Sequence, residues 1–336
     1  MVLEIMNSII FKVPGRICLF GDKVDLLGMP VIAATIDKFM HFEMMKRDDN
    51  MIHFLSKDYP DEEEVFSINN EKALFFYDNH LKYWHACLKS LENYIKEKKI
   101  YGFDAIVKSD IPIGAGLSTS AAVSVGFISG LNKLFKLGLS RTDIAEHAYN
   151  AEHNILGIMC GRMDQYSIAF GGVTFIKTGE EPGVEILDVD SLPLVVGDSC
   201  EPREAKKVLN RVKKELEKNN PIYISAFKKI HEIVLNGKKY LQNGCNLDLI
   251  GTLMTAQQEQ ENIILAATDK LNELCNISIN KGAFGAKQMG AGGGGCMVAC
   301  CPDKETQSKV VEYINKSGGR ANIFQIYKYP DDIGEK

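Results

Sequence analysis

The run SDIPIGAGLSTSAAVSVG, from Ser109 to Gly126, constrains the fold more than any other stretch, because a glycine-rich turn closes into a Ser/Thr cluster that opens an apolar helix. Gly114 and Gly116 permit backbone conformations closed to residues with a Cβ, so successive N–H groups can turn toward one anion. The N–H groups at the start of the following helix add partial positive charge. Gly114, Ala115, Gly116, Leu117, Ser118 and Thr119 therefore read as a phosphate cradle, with the Ser118, Thr119 and Ser120 hydroxyls where a phosphate-bound Mg²⁺ would sit. The lysine of GxxxxGK[ST] is missing, so this is no ordinary P-loop. Taken by itself the run reads equally as a tight turn and a helix cap.

At 336 residues the chain exceeds the usual single-core size, and two domains sharing a cleft are expected. A β-rich first half gives way to a helical second half, and the change near Leu187 to Pro193 sets expected domains of residues 1–190 and 191–336. A net charge of -5 argues against a general nucleic-acid surface. No apolar stretch is long enough to span a bilayer and the first residues lack a signal-peptide layout, so the expected location is the cytoplasm. Nine cysteines without CxxC pairs read as reduced thiols.

Along the first half, strands are predicted over Ile9–Val13, Pro30–Ile36, Met40–Met45, Met51–Leu55 and Phe103–Lys108, with a hairpin turn at Lys46–Asn50 and a helix over Tyr83–Glu97. The acidic run Asp61–Glu64 reads as a solvated loop. Helices are predicted over Glu204–Asn219, Ile222–Asn243, Leu247–Cys275 and near Lys304–Lys316, and strands over Phe284–Gly290, Cys296–Cys300 and Ala321–Tyr329.

Three further constellations carry chemistry. In PGRICLFGDKVDLLGMPVI, from Pro14, Arg16 follows a chain-breaking Pro-Gly, and Gly21 and Gly28 bracket Asp22, Lys23 and Asp25. Carboxylates on such a loop suit vicinal hydroxyls, although an exposed charged turn would look the same. In the segment from Ser140 to Gly172, Ser140 and Asp143 form a capping-box pattern, and Glu152 falls on the apolar stripe of Ile144 and Ala148. A carboxylate so placed needs a divalent cation or a buried ion pair with Arg16 or Arg162. Asp164, in CGRMDQYSIAFGG, can orient or accept the proton of a substrate hydroxyl, or cap the next helix. Finally, Gly290 to Gly295 holds five glycines between two strand-like runs, a loop whose backbone must approach something closely.

The order and spacing of these motifs resemble the GHMP kinase superfamily over nearly the whole chain, roughly Pro14 to Tyr329. Pro14-Gly15-Arg16, GDKVDLLG from Gly21 and CGRMDQ from Cys160 lean toward the galactokinase-like sugar kinases, as do Asp25, Gln165 and Trp84. The resemblance implies a two-domain α+β fold, with an N-terminal ribosomal protein S5 domain 2-like domain and a C-terminal ferredoxin-like domain. It implies ATP and Mg²⁺ as cofactors, Asp164 and Arg16 as catalytic residues, Ser120 and Glu152 as metal ligands, and Gly114 to Ser120 around the nucleotide phosphates. Asp22, Lys23, Asp25 and Arg162 would meet the substrate, a monosaccharide phosphorylated at its anomeric hydroxyl. A monomer or homodimer with no nucleic-acid or membrane partner is expected. Lys23 stands where galactokinases have His, Asp22 is shorter than their Glu, and Leu26-Leu27 replaces Tyr-Asn. Lys23 and Arg162 add charge beside the inferred pocket, which suggests an acidic or phosphorylated sugar. The alternatives are a mevalonate- or homoserine-type kinase and a non-catalytic sugar sensor.

Overall fold

The computed structural model describes residues 3–5, 7–70, 72, 79–112 and 116–330. Gly114 and Ala115 of the phosphate loop lie outside them. An eight-stranded sheet is built from β1 (Leu3–Ile5), β2 (Ser8–Phe20), β3 (Val31–Lys46), β4 (Met51–Ser56), β5 (Glu64–Ser67), β6 (Phe103–Ser109), β7 (Val173–Lys177) and β8 (Gly183–Leu187). Its main path runs β1-β2-β3-β6-β4-β5, and β7 pairs the first half of β3 and carries β8 on its far side.

Two predicted strands are one. β3 runs unbroken from Val31 to Lys46, and β2 passes straight through Pro14-Gly15, where the register slips from Pro14↔Phe39 to Gly15↔Ile36. The pattern of burial explains both. Near Ile9, Phe11 and Val13 burial alternates along β2, one face packed and the other wet, whereas from Val13 onward every residue is buried. The second face is covered there by α7 (Pro221–Gln242), whose Gly237 lies against Phe20 and whose Val234 lies against Gly21. Lys46–Asn50 is not a hairpin turn, because β6 lies between β3 and β4 and pairs parallel with β4.

Helices α1 (Lys82–Ser90) and α2 (Glu92–Lys96) divide the predicted 83–97 helix. Trp84 is fully enclosed between Phe54, ring centroids 4.7 Å apart, and Phe127, stacked at 5.2 Å. The acidic run is not simply solvated: Glu62 bonds His80, while Glu63 bonds His53 and Glu64 bonds His85, each at 2.7 Å. α3 (Thr119–Phe135) packs on the sheet through Gly126 and Gly130, where any Cβ would overlap Phe42 and Met44. α4 (Arg141–Asn150) starts with the capping box, Asp143 N–H donating to Ser140 Oγ at 3.1 Å and Ser140 N–H to Asp143 Oδ2 at 2.9 Å. It runs into a π-helical turn, Ala151–Ile155, and α5 (Met163–Phe170) follows.

All strands of the second sheet lie after Pro193: β9 (Leu194–Asp198), β10 (Gly285–Gln288), β11 (Cys296–Cys300) and β12 (Arg320–Ile323), in the all-antiparallel order β10-β11-β9-β12. In the numbering of its own strands that order is 2-3-1-4, the ferredoxin-like arrangement. Helices α6 (Ala205–Glu217), α8 (Leu247–Ile263), α9 (Asp269–Asn280) and α10 (Lys304–Lys316) complete it. The predicted 247–275 helix breaks because Thr268 caps a new one, accepting from Leu271 N–H at 3.2 Å. Ala321–Tyr329 is strand only to Ile323. The chain then returns to the first sheet: Tyr327 N–H donates to Thr35 O at 3.0 Å, Gly172 N–H to Tyr327 O at 2.8 Å, and Tyr329 Oη to Ile168 O at 2.9 Å. All nine cysteines are free thiols. Among the described residues no helix is long and apolar enough to cross a membrane.

Candidate active site

The end of β2 brings a buried arginine against the phosphate loop. Gly15 lets the backbones meet, since a Cβ there would lie 3.0 Å from Leu117 O, and Arg16 N–H donates to that same carbonyl at 3.2 Å. The guanidinium then reaches Asp164 Oδ1, from Nε at 2.7 Å and Nη2 at 2.6 Å, while Nη1 donates to Gly116 O at 3.0 Å. Ser118, at a left-handed φ of 61° ahead of α3, donates from Oγ to Asp164 Oδ2 at 2.5 Å. Asp164 lies in the first turn of α5, where the helix dipole favours negative charge. Burial opposes the charge on Arg16, but Asp164 outweighs it and the guanidinium pKa is raised. The two expected catalytic residues and the described phosphate loop thus form one hydrogen-bonded unit.

Glu152 sits in the π-helical turn, a geometry common at functional sites, and is buried with no cationic partner among the described residues. It accepts from Gln165 Nε2 at 3.0 Å, the Ser120 and Ser124 hydroxyls lie nearby, and burial pushes its carboxyl up to about 7. Gln165 Oε1 beside it is buried and unpaired. An uncompensated carboxylate next to an orphaned carbonyl fits a cation. Among the described residues no three acidic, histidine or cysteine side chains converge on one point, so Ser120 and Glu152 would share a Mg²⁺ with the nucleotide phosphates.

The substrate loop divides in two. Asp22 and Lys23, expected to face substrate, turn away into the second sheet and are buried there: Asp22 pairs with Lys287, and Lys23 with Glu261 at 2.6 Å. Asp25, on the 3₁₀ turn Val24–Leu27, faces the site. Its carboxylate lies against Gly161, where a Cβ would overlap it, close to the Met163 backbone. Burial, then the nearby Asp164, push its pKa up to about 7. Arg162 is engaged by Glu146 at 2.7 Å and lies over the Tyr149 ring, 4.3 Å from its centroid. Neither Lys23 nor Arg162 is left free for an acidic sugar, which removes the observation behind that expectation.

Sequence reasoning missed Arg203. It follows β9 in the segment CEPRE and crosses the cleft: its guanidinium carbon lies 3.4 Å from where a Cβ of Gly116 would stand, and its nitrogens reach 3.2 Å from that of Gly290 and 3.3 Å from that of Gly295. Burial and then the neighbouring Arg16 depress its pKa. Two guanidinium groups thus flank the phosphate loop, one from each sheet. Both glycine tracts leave room for this side chain, and that was the only signal for it in the sequence.

Residues 82–172 match the family of GHMP kinases N terminal domain, and residues 239–320 match GHMP kinases C terminal. A mevalonate kinase of Pyrococcus furiosus is 30% identical over 95% of this chain and 96% of its own length, and a galactokinase of the same organism is 27% identical over 98% and 100%. The crystal structure of Lactococcus lactis galactokinase complexed with galactose superimposes with a TM-score of 0.82 at 20% identity, covering 96% of this chain and 94% of that one. That of Methanococcus jannaschii mevalonate kinase gives 0.79 at 23% identity, covering 95% and 98%. Both mevalonate kinases and a galactokinase stand among the relatives, so the galactokinase-like lean of the motifs is not confirmed at the level of the branch, and the chain belongs to the GHMP kinases, ATP- and Mg²⁺-dependent kinases of small molecules.

Proposed function

We propose that the protein transfers the γ-phosphoryl group of ATP to the anomeric hydroxyl of a monosaccharide. The observation that carries this reading is the pocket's charge. Asp25 and Asp164 face it together, while Lys23 and Arg162 are both consumed by other carboxylates. Such a wall suits a neutral ligand rich in O–H donors, because each carboxyl group accepts several hydrogen bonds.

Asp164 accepts the hydroxyl's hydrogen bond where Ser118 now donates. As the sugar oxygen bonds to phosphorus and the bond to the ADP oxygen breaks, the hydroxyl proton passes to Asp164. Arg16 holds Asp164 in place, and the N-terminal end of α3 and Arg203 face the charge on the transferring group. Mg²⁺ bound at Ser120 and Glu152 would neutralise charge on the nucleotide phosphates.

A mevalonate-type acceptor is the second reading, favoured by the mevalonate kinases among the relatives. Both are tested by following ATP consumption with Mg²⁺ across neutral hexoses, amino sugars, uronic acids, mevalonate and homoserine. Turnover of a neutral sugar is expected, lowered about 10²- to 10⁴-fold by Asp164→Asn. Turnover of mevalonate alone would overturn the sugar assignment, and sugar binding without ATP turnover would point to a sensor.

A further inference from the structure

Asp22 and Lys23, adjacent in the chain, grip a single residue of the other domain from both sides. Gly290, the first glycine of the tract, donates its N–H to Asp22 Oδ1 and accepts from Lys23 Nζ at its carbonyl, 2.9 Å away. Lys23 reaches it only because its own backbone is left-handed, at φ 71°, which swings the side chain out of the substrate loop and across the cleft. Each jaw has its own counter-ion in the second domain. Asp22 meets Lys287 and accepts from Gln257 Nε2 at 2.8 Å, and Lys23 meets Glu261, which also accepts from Gln288 Nε2 at 2.9 Å. All four charged side chains are at most 4% exposed.

Burying four charges is a poor way to gain stability, since a buried ion pair is about matched by apolar residues of the same size. What the arrangement supplies is position. Gly290 lies directly beneath Arg203, and Asp25 stands two residues after Lys23. One rigid connection therefore runs from the acceptor side of the cleft to the arginine on its phosphate side.

We propose that the Asp22–Lys23 grip on Gly290 is a positioning device that holds Arg203 against the phosphate loop, with Lys23, Glu261 and Lys287 acting on transfer through Gly290 without touching the reactants. This rests on the superfamily's phosphoryl chemistry and not on which acceptor is used.

The test is the full chain carrying Lys23→Met with Glu261→Met, which removes one jaw and its counter-ion together and strands no charge. Hydrogen exchange of a peptide spanning 289–295 is expected to speed about tenfold or more while that of β2 and β3 stays at the parent rate. On whichever acceptor the parent turns over, kcat is expected to fall about tenfold to a hundredfold with little change in acceptor KM. In an Arg203→Ala background the same pair of substitutions should cost little more, because both act at one point. Unchanged exchange at 289–295 in the folded variant, or an equal loss of kcat with and without Arg203, overturns the proposal. If that variant fails to fold, Asp22→Leu with Lys287→Met opens the other jaw and must give the same local rise in exchange; parent-like exchange there overturns it equally. The exchange arm needs no acceptor, so its failure is distinct from an error in the substrate.

Discussion

Asp25 is the side chain whose titration reports most directly on the pocket. An aspartate in an unfolded chain loses its proton near pH 4, whereas Asp25 in the fold keeps it to about 7 because it is buried and faces Asp164. Between those values the folded protein holds a proton that the unfolded chain has released, so this group makes stability fall as pH rises from about 4 to about 7. Denaturant unfolding at several pH values should show that Asp25→Asn shallows this decline, with Glu152 contributing to what remains. Steady-state kinetics test a second charged residue of the cleft: Arg203→Gln is expected to lower kcat about 10²- to 10³-fold, as for loss of one preorganised donor to a developing anion. Arg16, Ser120, Glu152, Asp25 and Asp164 were all legible as candidates, because each stands in a motif whose spacing is itself chemical. Arg203 was not, since a lone arginine in a loop acquires its meaning only when the chain folds across the cleft. Asp22 and Lys23 were legible as residues of the loop, but the left-handed backbone that turns Lys23 away leaves no mark on composition or spacing.

At the scale of elements, the sequence pattern was read best where one face of a strand or helix is wet. Ile9–Val13 and the helix at Lys304–Lys316 are of this kind, because alternation or a 3.6-residue stripe survives in the sequence. It was read least well where both faces are covered. The buried end of β2 has no alternation, and Pro14-Gly15 looked like a break although the proline only marks a slip in register. The break at Thr268 was hidden for the opposite reason, since apolar residues continue on both sides of it in helical spacing. Close packing between α3 and the sheet depends on missing side chains. Gly126→Ala would place a methyl group overlapping the edge of the Phe42 ring, and the expected cost is about 1–3 kcal/mol, read as a shift in the denaturation midpoint with the unfolding slope unchanged.

For the whole molecule, the size and the shift from strands to helices pointed to two domains and a cleft, but nothing in the sequence marked the return of residues 324–329 to the first sheet. That segment reads as one more strand, and its bonds to Thr35, Gly172 and Ile168 are between residues far apart in the chain. Ending the chain after Ile323 is expected to remove several backbone bonds worth about 1 kcal/mol each, together with the packing of Tyr329, and to lower the thermal midpoint and soluble yield of the protein. The same return sets an order for synthesis. A ribosome completes the eight strands of the first sheet well before it makes Tyr327, so the Thr35 carbonyl waits for the Tyr327 N–H through the translation of the entire second domain. The nascent first domain leaves the exit tunnel with one seam open, and a stretch translated after the second domain closes it.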